Sequence, residues 1–292
     1  MAEATTNPDP QRLLVTADLH FGAYPQGDAC VLDLADFVSS SPADVLILAG
    51  DIGDGNEERF RACLELFRSF GGPRLVVPGN HDVWAGPGGS EEKRRKILPA
   101  VASECGFAML DSGPVTAGGV GFIGNIGWYD YSFRDPDLNV KLEQYERKEL
   151  PGVCVWNDGR FIDWPHSDGE FTEKCLRKLH RDYRAVERRV DVVVAVLHHL
   201  PFRELLYEAA DTAGAFCLAY MGAECLGQLL LDCPKVRYVF CGHRHTADTC
   251  RRGHIEAFVV GSEYLLKRMI ELDLGTGEHK AYVFEVPRQQ PT

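Results

Sequence analysis

Five times along this chain a short apolar run stops abruptly at a polar cluster, and the clusters carry the same few side chains each time. The runs are Leu13–Ala17, Val45–Ala49, Leu75–Val77, Val192–Leu197 and Val236–Cys241. Unbroken apolar stretches of this length, rich in β-branched residues, are expected as strands buried on both faces. They are followed by Asp18 and His20 in TADLH, Asp51 and Asp54 in AGDIGDG, and Asn80, His81 and Asp82 in PGNHD. The last two runs end in His198 and His199 in VLHHLP, and His243 and His245 in CGHRH. In an α/β sheet, ligands bind beyond the carboxyl ends of the strands. Five strands therefore bring imidazole, carboxylate and amide groups to one edge, and six of the ten histidines are among them.

Between the runs, Val31–Val38, Arg59–Phe70 and Cys175–Arg188 carry apolar residues at helical spacing. The alternation predicts an α/β fold with βα units and helices covering both faces. Towards the C-terminus, Ile255–Gly261, Met269–Leu274 and Ala281–Val286 read as strands with little helix between them, and this part is expected to be antiparallel. DLGTGE at 273–278 is a hairpin turn signal, with Gly275 and Gly277 available for positive φ. Residues 1–11 read as a flexible arm, 12–287 as a single domain and 288–292 as a tail. Residues 126–170 fit neither pattern and read as an insert holding three of the four tryptophans.

Taken singly, each polar cluster has an ordinary explanation. An Asp after a strand is commonly a helix N-cap, and GDxxDG is a familiar turn. Jointly they do not, because scattered placement would not gather them on one edge. Imidazole nitrogen with carboxylate and amide oxygen suits Mn, Fe, Zn, Co or Ni, and there are more candidate ligands than one tetrahedral ion can use. Two divalent ions sharing a carboxylate is the simplest arrangement. The formal charge of −12 argues against a protein that coats nucleic acid by electrostatics, but not against a metal site that binds phosphate.

The order D-x-H, G-D-x-x-D, G-N-H-D, H and G-H-x-H resembles the calcineurin-like metallophosphoesterase superfamily, with motifs from 18 to 245. The resemblance implies a four-layer α/β/β/α sandwich, two mixed β-sheets flanked by helices. It also implies residue roles. Asp18, His20 and His245 would hold one metal ion, Asn80, His198 and His243 a second, and Asp51 would bridge them. His81, with Asp82 beside it, would give a proton to the leaving oxygen, and Asp54 would orient a metal-binding imidazole. His198 is preferred to His199 as the ligand of its pair. The implied activity is hydrolysis of a phosphomonoester or phosphodiester by a metal-bridging hydroxide. The substrate would be a small-molecule phosphoester or a nucleotide, with long nucleic acid disfavoured. A nuclease, or a scaffold that kept the fold and lost turnover, are the competing readings.

Other signals are weaker. The aromatic insert reads first as packing, with a cap over the metals as the alternative. KRRK at 93–96 reads as the solvated face of a helix, and Arg244 as structural. Trp84 is placed to wall the pocket. No apolar run reaches the roughly 18 residues that span a bilayer. The polar start and ten scattered cysteines point to a cytoplasmic location.

Overall fold

The structure is a computed structural model in which residues 10–86 and 89–286 are described. The expected tail lies outside them, as does the expected arm apart from Pro10 and Gln11. Those two are tied down: Pro10 is buried, and the Gln11 N–H donates to the Asp44 carboxylate at 2.9 Å.

The strands, in chain order, are β1 (Arg12–Thr16), β2 (Val45–Ala49), β3 (Arg74–Val77), β4 (Ala108–Met109), β5 (Val115–Ala117), β6 (Val120–Asn125), β7 (Glu149–Leu150) and β8 (Cys154–Val155). They continue with β9 (Val192–Leu197), β10 (Val236–Cys241), β11 (Asp248–Arg252), β12 (Ile255–Val259), β13 (Leu266–Asp273) and β14 (His279–Glu285). Two six-stranded sheets result, ordered β14-β13-β1-β2-β3-β4 and β11-β12-β10-β9-β6-β5, and β7 and β8 form a ribbon within the insert. Both large sheets are mixed. The strands that end in the polar clusters are parallel to their neighbours β1, β2 and β3 in one sheet, and β6, β9 and β10 in the other.

Alternation along each strand explains the continuous apolar runs. Leu13, Val15, Val45, Ile47, Leu75 and Val77 of one sheet meet Phe122, Val194, Val196, Phe240 and Phe258 of the other in one core. The intervening Leu14, Leu46, Leu48, Val193, Ala195 and Leu197 belong to a second core shared with the helices. Each of these residues is thus buried from one side or the other. Truncating one of them to Ala is expected to cost about 2–5 kcal/mol. The helix Pro25–Ser40 opens with Pro at its first turn and buries Cys30, Val31, Leu34 and Val38. The longest helix, Asp168–Val186, is fixed at its start by a Ser167/Glu170 capping box, which is why it begins seven residues before the apolar pattern.

Several sequence expectations need correction. The C-terminal part is not uniformly antiparallel: β13 and β14 are, but β12 runs parallel to β10. The chain reverses after β10 to make β11 and reverses again, and it is β12 that docks beside β10. In the 273–278 turn Gly277 takes φ +76°, whereas Gly275 is not among the positive-φ glycines. The strand β6 was not expected, because Gly121 and Gly124 interrupt its apolar pattern. KRRK is not all solvated: Lys93 is buried, and its ammonium donates to the Gly55 and Trp84 carbonyls, each at 2.7 Å. No helix among the described residues is long and apolar enough to cross a membrane.

Candidate metal centre

Loops at the carboxyl ends of β1, β2, β3, β9 and β10 are laced together by main-chain hydrogen bonds. Asp18 N–H donates to Gly50 O, and His20 N–H to Asp51 O, each at 2.9 Å; Gly242 N–H donates to His198 O at 3.1 Å. Within these loops Asp18, His20, Asp51, Asp54, His243 and His245 have φ between 43° and 70°. Among the described residues only Tyr131 and Lys148 are the other non-glycines in that left-handed region. It costs an L-residue roughly 1–2 kcal/mol. Such strain gathers at functional sites when surrounding structure enforces it.

Asp18 and Asp51 lie at the centre, each essentially inaccessible to solvent. One oxygen of each braces a loop: Asp18 Oδ1 accepts from the His243 N–H at 2.8 Å, and Asp51 Oδ1 from the His81 N–H at 2.9 Å. The other oxygens, Asp18 Oδ2 and Asp51 Oδ2, are buried without a hydrogen-bond partner. Gly79 makes this close approach possible, since a Cβ there would sit 2.0 Å from Asp51 Oδ1.

Imidazoles surround these oxygens. His20 Nε2 is 3.6 Å and His198 Nε2 3.4 Å from Asp51 Oδ2. His245 Nε2 lies 3.8 Å from Asp18 Oδ1 and 3.2 Å from His20 Nε2. Ligand atoms of Asp18, His20, Asp51 and His245 cluster within 4.8 Å of one another, and so do those of Asp51, His198 and His243; Asp51 is common to both groups. Asn80 Oδ1 joins the second group, 3.1 Å from His198 Nε2.

Partners away from the cluster set the ring orientations. His198 Nδ1 faces the Ala49 carbonyl at 2.9 Å, and His243 Nε2 faces the Tyr220 carbonyl at 3.2 Å. A carbonyl only accepts, so these nitrogens carry the proton and the opposite nitrogen is left for the cluster. Asp54 Oδ1 holds two rings, His20 at 3.3 Å and His81 at 2.8 Å, both through Nδ1. The outer face of His81 stacks on Trp84, with centroids 3.7 Å apart. Asp82 is buried beneath the cleft and does not line it. Its oxygens accept from the Ile52, Gly53 and Gly79 N–H groups, all at 2.9 Å, so it ties the second and third loops together. His199 belongs to neither ligand group, although its ring lies 4.2 Å from that of His243; its Nδ1 donates to Ile126 O at 3.0 Å.

The electrostatics fit a cation. Burial raises the Asp18 carboxyl to about 7, with the neighbouring Asp51 charge adding to the effect. Burial works the same way on Asp51, but His198 and His81 outweigh it and hold that carboxyl well below its ordinary range. Burial pushes His20 and His243 down, and His245 to about 3, which keeps these rings neutral and able to coordinate. His198 goes up to about 9: burial opposes this, and the Asp51 carboxylate prevails. His81 is also raised, because Asp51 and Asp54 overcome its burial. Two orphaned carboxylate oxygens, with the neutral rings of His20, His243 and His245 beside them and His198 drawn to Asp51, form a donor set for borderline divalent cations.

The centre opens into a cavity of about 410 Å³ walled by Trp84, Trp156, Tyr207, Met221 and Tyr264. Arg244 also lines it, but its Nη1 bonds Leu205 O at 2.6 Å and Asp248 at 2.5 Å. The insert both packs and lines: Trp128, Tyr129 and Tyr145 are fully buried, while Trp156, Asn157 and Asp158 face the cavity. Asp158 and Tyr264 went unnoticed in the sequence. Nothing in the local pattern around WND or SEY distinguishes them, and both reach the site only through tertiary packing.

A model of the family described as calcineurin-like phosphoesterase matches residues 11–247. No curated protein matches the chain. Among solved structures, a phosphopantetheinyl hydrolase from Mycobacterium tuberculosis aligns with a TM-score of 0.66 and 22% identity over 86% of this chain and 89% of that one. A dimetal phosphatase from Danio rerio aligns with 0.58 and 17% over 95% and 100%. An anchor protein of the Plasmodium inner membrane complex aligns with 0.51 and 10% over 97% and 90%. At these identities the likeness is one of fold, and the fold evidently carries more than one role.

Proposed function

We propose a function from one premise: the chain belongs to the calcineurin-like phosphoesterase family. The protein is a hydrolase of small-molecule phosphoric esters that works with two divalent cations. Asp18, His20 and His245 hold one cation, Asn80, His198 and His243 the other, and Asp51 lies between them. The observation that carries this reading is the pair of buried oxygens on Asp18 and Asp51 that lack a hydrogen-bond partner, with imidazole nitrogens gathered around them. When bound, such ions neutralise phosphoryl oxygens and make hydroxide available at neutral pH.

The chain's own groups supply the rest. His81 holds a proton for the departing oxygen on Nε2, because Asp54 occupies Nδ1 and stabilises the imidazolium. Stacking on Trp84 fixes the plane of that ring. Asp82 acts on position and not on protons, by tying together the loops that carry Asp51 and Asn80. The cavity has the size of a small-molecule site, and Arg244, its single lining Arg or Lys among the described residues, already has protein partners. That composition favours a compact phosphoester over a nucleic acid, which would meet a basic track.

The test is release of nitrophenol from p-nitrophenyl phosphate and bis(p-nitrophenyl) phosphate after reconstitution with Mn, Fe, Zn, Co or Ni. Metal-dependent release, abolished by EDTA, is expected. Two bound ions with no turnover of either ester would favour the scaffold reading.

A further inference from the structure

Asp158 is the one carboxylate of the insert that lines the cavity, and it is 2% exposed. Four side chains converge on it. Asn80 Nδ2 and Trp84 Nε1 donate to Oδ1 at 3.0 and 2.8 Å; the Tyr129 hydroxyl and Trp156 Nε1 donate to Oδ2 at 3.0 and 2.8 Å. All four donors are neutral. A carboxylate has four good acceptor directions, and here each is used. Burying an ion without a counter-charge is costly, and only such complete hydrogen bonding offsets it.

Three of these donors lead back to the metal centre. An Asn side chain has one donating and one accepting end. With Nδ2 committed to Asp158, Oδ1 is turned towards His198 Nε2 and the second ligand group. Trp84, held by the same oxygen, is the ring that stacks on His81. Trp156, held by the other, stacks on Tyr220 at 5.1 Å, and the Tyr220 carbonyl orients His243.

We propose that Asp158 is a positioning residue that fixes the amide of Asn80 as a ligand for the second cation and clamps the aromatic insert onto the centre. This rests on the two-cation reading above. The insert is thereby part of the metal site's support and not only a wall, because removing this one carboxylate frees the Asn80 amide to rotate.

The experiment measures binding of two Mn(II) ions by calorimetry, together with kcat, in the full chain. It compares wild type, Asn80→Ala, Asp158→Leu and the double variant. A leucine at 158 accepts no hydrogen bond, so all four donors lose their partner while most of the volume is kept. Asp158→Leu is expected to weaken the second ion by about 10–100-fold and to leave the first unchanged, as loss of an outer partner does. In second-ion affinity the double variant is expected to match Asn80→Ala alone. Unchanged second-ion affinity, or effects that multiply in the double variant, would overturn the proposal. Fewer than two ions in the wild type would instead overturn the two-cation reading, and this role with it. Should Asp158→Leu not fold, wild-type protein still decides. Side-chain amide protons of Asn80 are expected to exchange far more slowly than those of a free amide, and exchange at the free rate would refute the clamp.

Discussion

The two ends of the sandwich differ in a way that cavity size conceals. At the amino ends of the parallel strands lies a cavity of about 1060 Å³, more than twice the volume of the metal-centre cavity. It is lined by charges of both signs, among them Arg251, Glu256, Glu271 and Lys280. Its Arg251–Glu256 pair is 3.8 Å apart, with the arginine largely in water. The left-handed residues there are glycines, Gly253 and Gly277. At the carboxyl ends aspartates and histidines adopt this conformation alongside glycines such as Gly50 and Gly55, and two carboxylate oxygens are buried without a hydrogen-bond partner. The larger hollow is ordinary surface, whereas the smaller one stores unfavourable free energy that a bound cation would relieve. Energetic cost, and not volume, distinguishes the end to which the proposed function is assigned.

That contrast can be broken most sharply at Asp51. Asp51→Asn removes charge from both ligand groups and is expected to reduce turnover by more than about a hundred-fold with loss of most bound metal, since even an outer partner costs 10–100-fold. Elemental analysis alongside the ester assay checks this; near-normal activity would show that the orphaned oxygen is incidental. His81→Ala is expected to lower kcat by about a hundred- to ten-thousand-fold while the metal content stays at the wild-type value. Loss of metal in that variant would make His81 a ligand.

Asp54→Asn sharpens the picture through pH. As the proposed proton donor His81 must be protonated to act, and the Asp51 and Asp54 carboxylates raise its pKa against burial. Its acid form therefore persists to higher pH than in an ordinary histidine. Removing the Asp54 charge lowers that pKa, so the basic limb of the kcat profile is expected to move to lower pH, with about a ten-fold loss at the wild-type optimum. An unmoved limb would separate Asp54 from proton transfer. The smallest effect belongs to the far end: Gly277→Ala, at φ +76°, is expected to cost about 1–2 kcal/mol of stability and to leave kcat/KM unchanged. A matched loss of activity in a variant that stays folded would mean that the two ends are coupled.

Much of the fold was legible because burial on two faces leaves a continuous apolar signature. β2, β9 and β10 begin and end where their runs do. β6 was hidden by its glycines, and the parallel docking of β12 depends on which strand of a hairpin reaches β10 first. Local pattern carries no record of such a choice. Likewise Lys93 reads as one more basic residue in KRRK, yet the carbonyls of Gly55 and Trp84 draw it inside.

The sequence by itself determined which side chains stand at the strand ends, because strand termination and polar punctuation are local events. The tertiary structure alone decided how those groups divide their work. It set one oxygen of each central aspartate on a loop and left the other bare. It set His198 Nε2 beside Asp51 and His199 Nδ1 against the Ile126 carbonyl, and placed Asp82 beneath the cleft as a brace. It also brought Asp158 across 78 residues to hold Asn80. Orientation depends on the partner at the far end of each polar group, and those partners meet only when the two sheets close on each other.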